Sequence, residues 1–288
     1  MRSRAVTLRA IAFLSAAAGV YYGIVGARAG QEQARQAQPA KTLSCLGKFA
    51  THEEADDFLR TARIVKSRRI SAGVTGSQKL TLEKDGRQES GIFKTIDERN
   101  PGITSLPTGP ELDFKDSWKF EVGAYEMDKL LGLNMVPPTV DRFYENKQGS
   151  LQLWINDCIS EEERSKRNLT PPDPTGWGGQ ILKQRVFDNL IYDIDRNSGN
   201  ILISANWEMI LIDHSRSFKN SSALKTPKDL TFFSRSLMEA FGKLDEKRIR
   251  DHAGKFLTVY EIRAVLQRRD KILALFKKVA NNPDAVYP

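Results

Sequence analysis

Two short apolar runs, Ile201-Leu202-Ile203 and Met209-Ile210-Leu211-Ile212, are separated by only five residues. Runs this short, bounded by polar turn-forming residues, read as strands, and a connection this short joins them as an antiparallel hairpin. That pairing constrains the rest of the chain. It brings Asn200, before the first strand, beside Asp213, after the second, although they are 13 positions apart. An amide and a carboxylate side by side offer hard oxygen donors of the kind Mg²⁺ takes. Asp195 lies five residues before Asn200, in the loop between an expected helix and the first strand. There it can face an incoming hydroxyl as the base or orienting group of a phosphoryl transfer. An Asp-x4-Asn pair alone occurs in many surface loops, where Asp195 is simply a turn residue. The spacing to Asp213 across two apolar strands makes the set informative.

A second constellation lies upstream. Lys79 to Glu83 alternates like a strand, Asp85-Gly86 is a hairpin turn, and Gly91-Ile92-Phe93-Lys94 returns. Lys94 therefore ends a short apolar strand. Trp118 to Leu131 has Phe120, Ala124, Met127 and Leu131 at helical spacing, with Gly132 placed as a C-terminal cap. This helix offers Glu121 and Glu126 as partners for Lys94. They lie about 500° apart around the helix, so only one can meet it. A lone strand lysine is ordinarily a solvated edge charge. In this order, ahead of Asp195, Asn200 and Asp213, it reads as a phosphate-binding lysine. Gly73-Val74-Thr75-Gly76-Ser77 can place backbone N–H groups, that of Gly76 among them, over phosphates, or can be a plain turn. Leu153-Trp154-Ile155 stands where a hinge would touch a nucleotide base through Trp154, or is a core strand.

The remaining pattern is segregated. Glu53 to Val65 has helical spacing, and residues 98–116 carry Pro101, Gly102, Pro107, Gly109 and Pro110 and read as a loop. Val136 to Val140 leads into a strand. A Pro-rich connection over 170–179 precedes a helix from about Gln180 to Tyr192, and from Lys228 onward the pattern is helical. Strands with one helix followed by a mostly helical half predict an α+β chain of two lobes, with the boundary near residue 155. The expected divisions are 45–155 for the strand-rich N-lobe and 156–288 for the helical C-lobe.

The first 29 residues read as a signal peptide or N-terminal anchor. Arg2, Arg4 and Arg9 precede an apolar stretch of 17 residues, Ala10 to Gly26, and Ala27-Arg28-Ala29 resembles a cleavage site. Both readings send the body of the chain out of the cytoplasm, to the periplasm or the extracellular space, with a membrane contact only if the segment stays uncleaved. Residues 30–44 follow as a polar linker. Residues 1–29 carry four Arg and no acid, so their removal lowers the formal charge from +8 to +4, which is no nucleic-acid footprint. Cys45 and Cys158, far apart in the chain, are weak grounds for a disulfide, and no Cys/His cluster has zinc spacing.

Asp195-Arg196-Asn197-Ser198-Gly199-Asn200 with Leu211-Ile212-Asp213 resembles the catalytic and metal loops of phosphatidylinositol 3/4-kinases. The same layout occurs in HipA-type kinases and in secretory-pathway (Golgi) kinases. Residues 121–133, running into Val136-Pro137-Pro138-Thr139, look most like bacterial relatives of the Golgi kinases. The resemblance implies a two-lobed protein-kinase-like fold, ATP with Mg²⁺ or Mn²⁺, and Glu121 as the partner of Lys94. The chain departs from the lipid kinases at Asn197, where they have His, and at His214-Ser215, where Phe-Gly is usual. The resulting expectation is an ATP-dependent phosphotransferase acting on a hydroxyl of a protein or glycan outside the cytoplasm. A pseudokinase scaffold and an enzyme transferring AMP to a protein are the alternatives.

Overall fold

The computed structural model describes residues 43–70, 77–107, 109–282 and 284–287. After a single 3-10 turn at Ser44–Leu46, helix α1 (His52–Thr61) opens on Thr51, whose side chain accepts the Glu54 amide. The helix ends at Thr61, short of the expected Val65. Ile64 and Val65 are β-branched and belong instead to strand β1 (Arg63–Arg69). Strands β2 (Gln78–Lys84) and β3 (Arg87–Lys94) form the expected hairpin. Its two turn residues, Asp85 and Gly86, both have positive φ (52° and 76°), which matches the right-handed twist of the strands.

Residues 98–116 are not a loop. They form a second hairpin, β4 (Asp97–Leu106) and β5 (Gly109–Ser117). Pro101 and Gly102 fall in the irregularity between Asn100 and Ile103, where no ladder bond is required of them, and Pro110 pairs near the tip with Ser105. These residues punctuate the register without ending the strands.

Helix α2 (Trp118–Leu131) has the predicted bounds, capped by Ser117 and closed by Gly132 at φ 63°. The chain continues through β6 (Thr139–Tyr144), β7 (Lys147–Leu153), β8 (Cys158–Ser160) and α3 (Glu161–Lys166). Helix α4 (Pro174–Ile191) starts before the expected Gln180. Asp173 accepts the Gly176 amide and Pro174 occupies the first turn, where its missing N–H costs nothing. Strands β9 (Ile201–Ser204) and β10 (Met209–Leu211) pair antiparallel as predicted, and β11 (Phe233–Ser234), α5 (Arg235–Lys243), α6 (Glu246–Ala253), α7 (Val259–Val279) and β12 (Val286–Tyr287) complete the chain.

Five strands form one antiparallel sheet in the order β1-β2-β3-β7-β6. Phe58 and Leu59 of α1 pack with Leu80, Phe93, Val140 and Leu151 on one face of it. The second core gathers Phe120, Ala124 and Met127 of α2, Phe187 and Leu190 of α4, and Val265 and Ile272 of α7. Helix α2 thus follows the strands in sequence but buries its apolar stripe among the C-terminal helices, which ties it to the residues around Asp213. Among the described residues no helix is long and apolar enough to cross a membrane. Cys45 and Cys158 are free thiols.

Candidate active site

Strand alternation decides where Lys94 points. Phe93 and its cross-strand partner Leu151 enter the core under α1, so Ile92, Lys94 and their partners Gln152 and Ser150 lie on the other face, where Ile92, Lys94 and Gln152 line a cleft of about 460 Å³. Lys94 Nζ donates to Glu121 Oε1 at 2.5 Å and to Asp213 Oδ1 at 2.8 Å. Glu121 is 1% exposed and its Oε2 accepts the His214 amide at 3.0 Å. One carboxylate therefore holds both the lysine and the backbone just after Asp213. Glu126, on another face of α2, pairs with Lys129 instead at 3.1 Å. The choice left open by the helix geometry falls on Glu121.

Burial alone would disfavour both charges of this pair. The Lys94 ammonium nevertheless holds the Glu121 carboxyl well below the usual carboxylate range, and the two carboxylates hold Lys94 above its ordinary value. A depressed acid contributes stability above its unfolded value, about pH 4.3, and loses it as pH falls further. A raised amine contributes below its unfolded value, about pH 10.4, so the pair is intact between those limits. Glu121→Gln is expected to flatten the acid limb of a stability–pH profile below about pH 4.3 and to cut turnover by about 10²-fold through a misplaced Lys94. An unchanged acid limb would remove Glu121 from this role.

The β9–β10 hairpin works as its pattern predicts. Ile201 pairs with Leu211, and beyond the ladder the Ile212 amide donates to the Asn200 carbonyl at 3.2 Å. Asn200 and Asp213 accordingly flank one backbone hydrogen bond and line the same cleft. Asn200 Nδ2 donates to the Asp195 carbonyl at 3.1 Å, which leaves Oδ1, an oxygen acceptor, outside that bond. Asp213 has φ 59°, a left-handed conformation rare for a residue with a side chain and concentrated at functional sites. Among the described residues no three His, Cys, Asp or Glu side chains form a closed metal cage. Two oxygen donors facing an open cleft instead suit Mg²⁺, which keeps other positions for phosphate and water.

Asp195 lies in the loop before Asn200, its amide donating to Asp193 Oδ1 at 2.9 Å. Partial burial, then the neighbouring Asp213 and Asp193 carboxylates, push its carboxyl above the ordinary value. Trp154 lines the cleft wall with Lys79 Nζ 3.6 Å from its ring centre. Gly76 lies outside the described residues; Ile70 and Ser77, which bracket that segment, line the same cleft. Arg196 gains its role only from the tertiary structure. Its guanidinium, 5% exposed, donates to the Asn200 carbonyl at 2.8 Å, the Ile212 carbonyl at 2.7 Å and Asp193 at 2.6 Å. It also pairs with Asp188 at 3.3 Å. The signal was an Arg inside the Asp195–Asn200 loop, three residues after Asp193.

A five-stranded sheet set against a helical half, with a strand lysine paired to a helix glutamate at the cleft between them, defines an atypical-kinase-like α+β fold. Solved structures share it. Hydra Fam20 with sugar is similar at 14% identity and a TM-score of 0.59, over 82% of this chain and 91% of that one. The Golgi casein kinase is similar at 14% identity and 0.58, over 88% and 83%. The Helicobacter pylori proinflammatory kinase CtkA is similar at 12% identity and 0.52, over 77% and 98%. No sequence-family profile matches the chain, and no curated protein does. At these identities the likeness is one of fold.

Proposed function

We propose that the chain is an ATP-dependent phosphotransferase that uses Mg²⁺ or Mn²⁺ to phosphorylate a hydroxyl of a protein or glycan outside the cytoplasm. Residues 45–155 and 156–288 are its two lobes. The observation that carries this reading is the convergence of Lys94 on Glu121 and Asp213 in a cleft that Asn200 also lines. In it, Lys94 holds phosphate oxygens and Glu121 fixes its position. Asn200 and Asp213 hold the divalent ion, and Trp154 lies against the base. Bound ATP and its ion would supply the transferable phosphoryl group and neutralise its charge. Asp195, its carboxyl pushed above the ordinary value by partial burial and the Asp213 and Asp193 carboxylates, takes the proton from the acceptor hydroxyl. The site of action outside the cytoplasm rests on the basic, then apolar, first 29 residues.

Incubation with γ-labelled and, separately, α-labelled ATP tests the reaction against secreted proteins and surface glycans as acceptors. Label from γ alone supports the proposal. Label from α indicates AMP transfer, and no label with ATP still bound indicates a scaffold. Asp195→Asn is expected to slow transfer by about 10²- to 10⁴-fold with nucleotide affinity nearly unchanged. Wild-type turnover in that variant would exclude Asp195 as the base.

A further inference from the structure

We infer that Gln152 selects the base of the nucleotide: its side-chain oxygen, held toward the cleft by Thr139, accepts the exocyclic amino group of adenine and opposes the carbonyl oxygen that guanine carries at that place. The inference rests on the nucleotide reading above.

Leu151 and Leu153 are buried in the core under α1, so Gln152 between them faces the cleft, beside Ile92 and on the same sheet face as Lys94. It is 8% exposed, and a primary amide buried to that extent needs defined partners. Its cross-strand neighbour on β6 is Thr139, itself fully buried. Thr139 Oγ1 donates its single proton to the Pro137 carbonyl at 2.8 Å. A carbonyl only accepts, so the hydroxyl has lone pairs alone to offer Gln152, and it receives Gln152 Nε2 at 2.9 Å. Turning the amide over would set Oε1 against those lone pairs. The hydroxyl therefore fixes which end of the amide faces the cleft, and that end is the acceptor.

Two backbone donors at this wall are already committed. The Leu153 amide donates to the Pro138 carbonyl at 2.8 Å and the Trp154 amide to the Ser90 carbonyl at 2.9 Å. With both committed, neither can donate to the carbonyl oxygen of guanine, which the Gln152 oxygen opposes. Adenine carries an amino donor at its six-position and guanine an acceptor oxygen.

Calorimetric titration of the full chain with Mg²⁺ and non-hydrolysable triphosphates tests this without any acceptor. For the wild type, removing the amino group, as in the purine riboside triphosphate, is expected to weaken binding about tenfold. Inosine and guanosine triphosphates, which put oxygen against oxygen, are expected to lose on the order of 10²-fold. Gln152→Leu is expected to bring the adenine and guanine nucleotides within about threefold of each other, the level of shape alone. Thr139→Val frees the amide to turn and is expected to raise guanine-nucleotide affinity about tenfold, a gain that a damaged fold would not produce. Equal affinity of the wild type for adenine and guanine nucleotides, or an unchanged preference in Gln152→Leu, overturns the role of Gln152 and leaves the nucleotide site standing. Failure of the wild type to bind any nucleotide overturns both.

Discussion

Asp213→Ala is expected to abolish metal-dependent nucleotide binding and to lower phosphoryl transfer by on the order of 10³-fold or more while the chain stays folded. The carboxylate has two tasks in the proposed site, and only one of them has a substitute. Lys94 loses the 2.8 Å contact to Asp213 but keeps Glu121 at 2.5 Å, so no buried cation is left alone. The divalent ion loses its only charged protein ligand in the proposed set, and an Asn200 amide by itself holds Mg²⁺ poorly. The backbone adds a smaller effect. With φ at 59°, alanine at position 213 costs about 1–2 kcal/mol, whereas Asn tolerates that region. Asp213→Asn is therefore the cleaner variant: stability close to wild type, with metal dependence lost. Titration with nucleotide in the presence and absence of Mg²⁺ or Mn²⁺ reads the first effect, and thermal melting reads the second. Metal-dependent binding that survives in Asp213→Asn would sink the assignment of Asp213 as a ligand.

Arg196→Met is expected to be the most damaging single change to the fold near the site, at about 3–5 kcal/mol. Arg196 stands between two carboxylates, Asp188 at 8% and Asp193 at 0% side-chain exposure. Burial already pushes the Asp188 carboxyl upward, and Arg196 is the main influence that opposes it. Without the guanidinium, two buried carboxylates face each other and the carbonyls of Asn200 and Ile212 lose a shared donor. For a chain of this size the loss is expected to lower the melting temperature by about 10 °C. Arg196→Lys should fall in between, because one ammonium cannot span the fork of partners that a planar guanidinium reaches. A melting temperature within about 2 °C of wild type for Arg196→Met would show that the loop is held by something else.

Local sequence carried a good deal of this site. The phase of Phe120, Ala124, Met127 and Leu131 set α2, and the two apolar runs around residues 204–208 set the hairpin that joins Asn200 to Asp213. The stretch over 97–117 was illegible as strands because Pro and Gly signal a break in hydrogen bonding, and only the opposing strand shows that the break is a bulge. Arg196 was equally hidden, since its importance lies in carbonyls and carboxylates that the fold gathers around it. Gln152 was hidden too, because its orientation depends on a hydroxyl on a neighbouring strand and on where that hydroxyl sends its proton.

What the sequence determined by itself are the elements and the inventory of reactive side chains, since turn preference and hydrophobic period are properties of residues a few positions apart. The tertiary structure decided which of those side chains meet. Lys94 reaches Asp213 across 119 positions, and it takes Glu121 over Glu126 because α2 turns its apolar face into the C-terminal core. That rotation is set by burying apolar area against distant helices, a sum over many contacts that no local window contains.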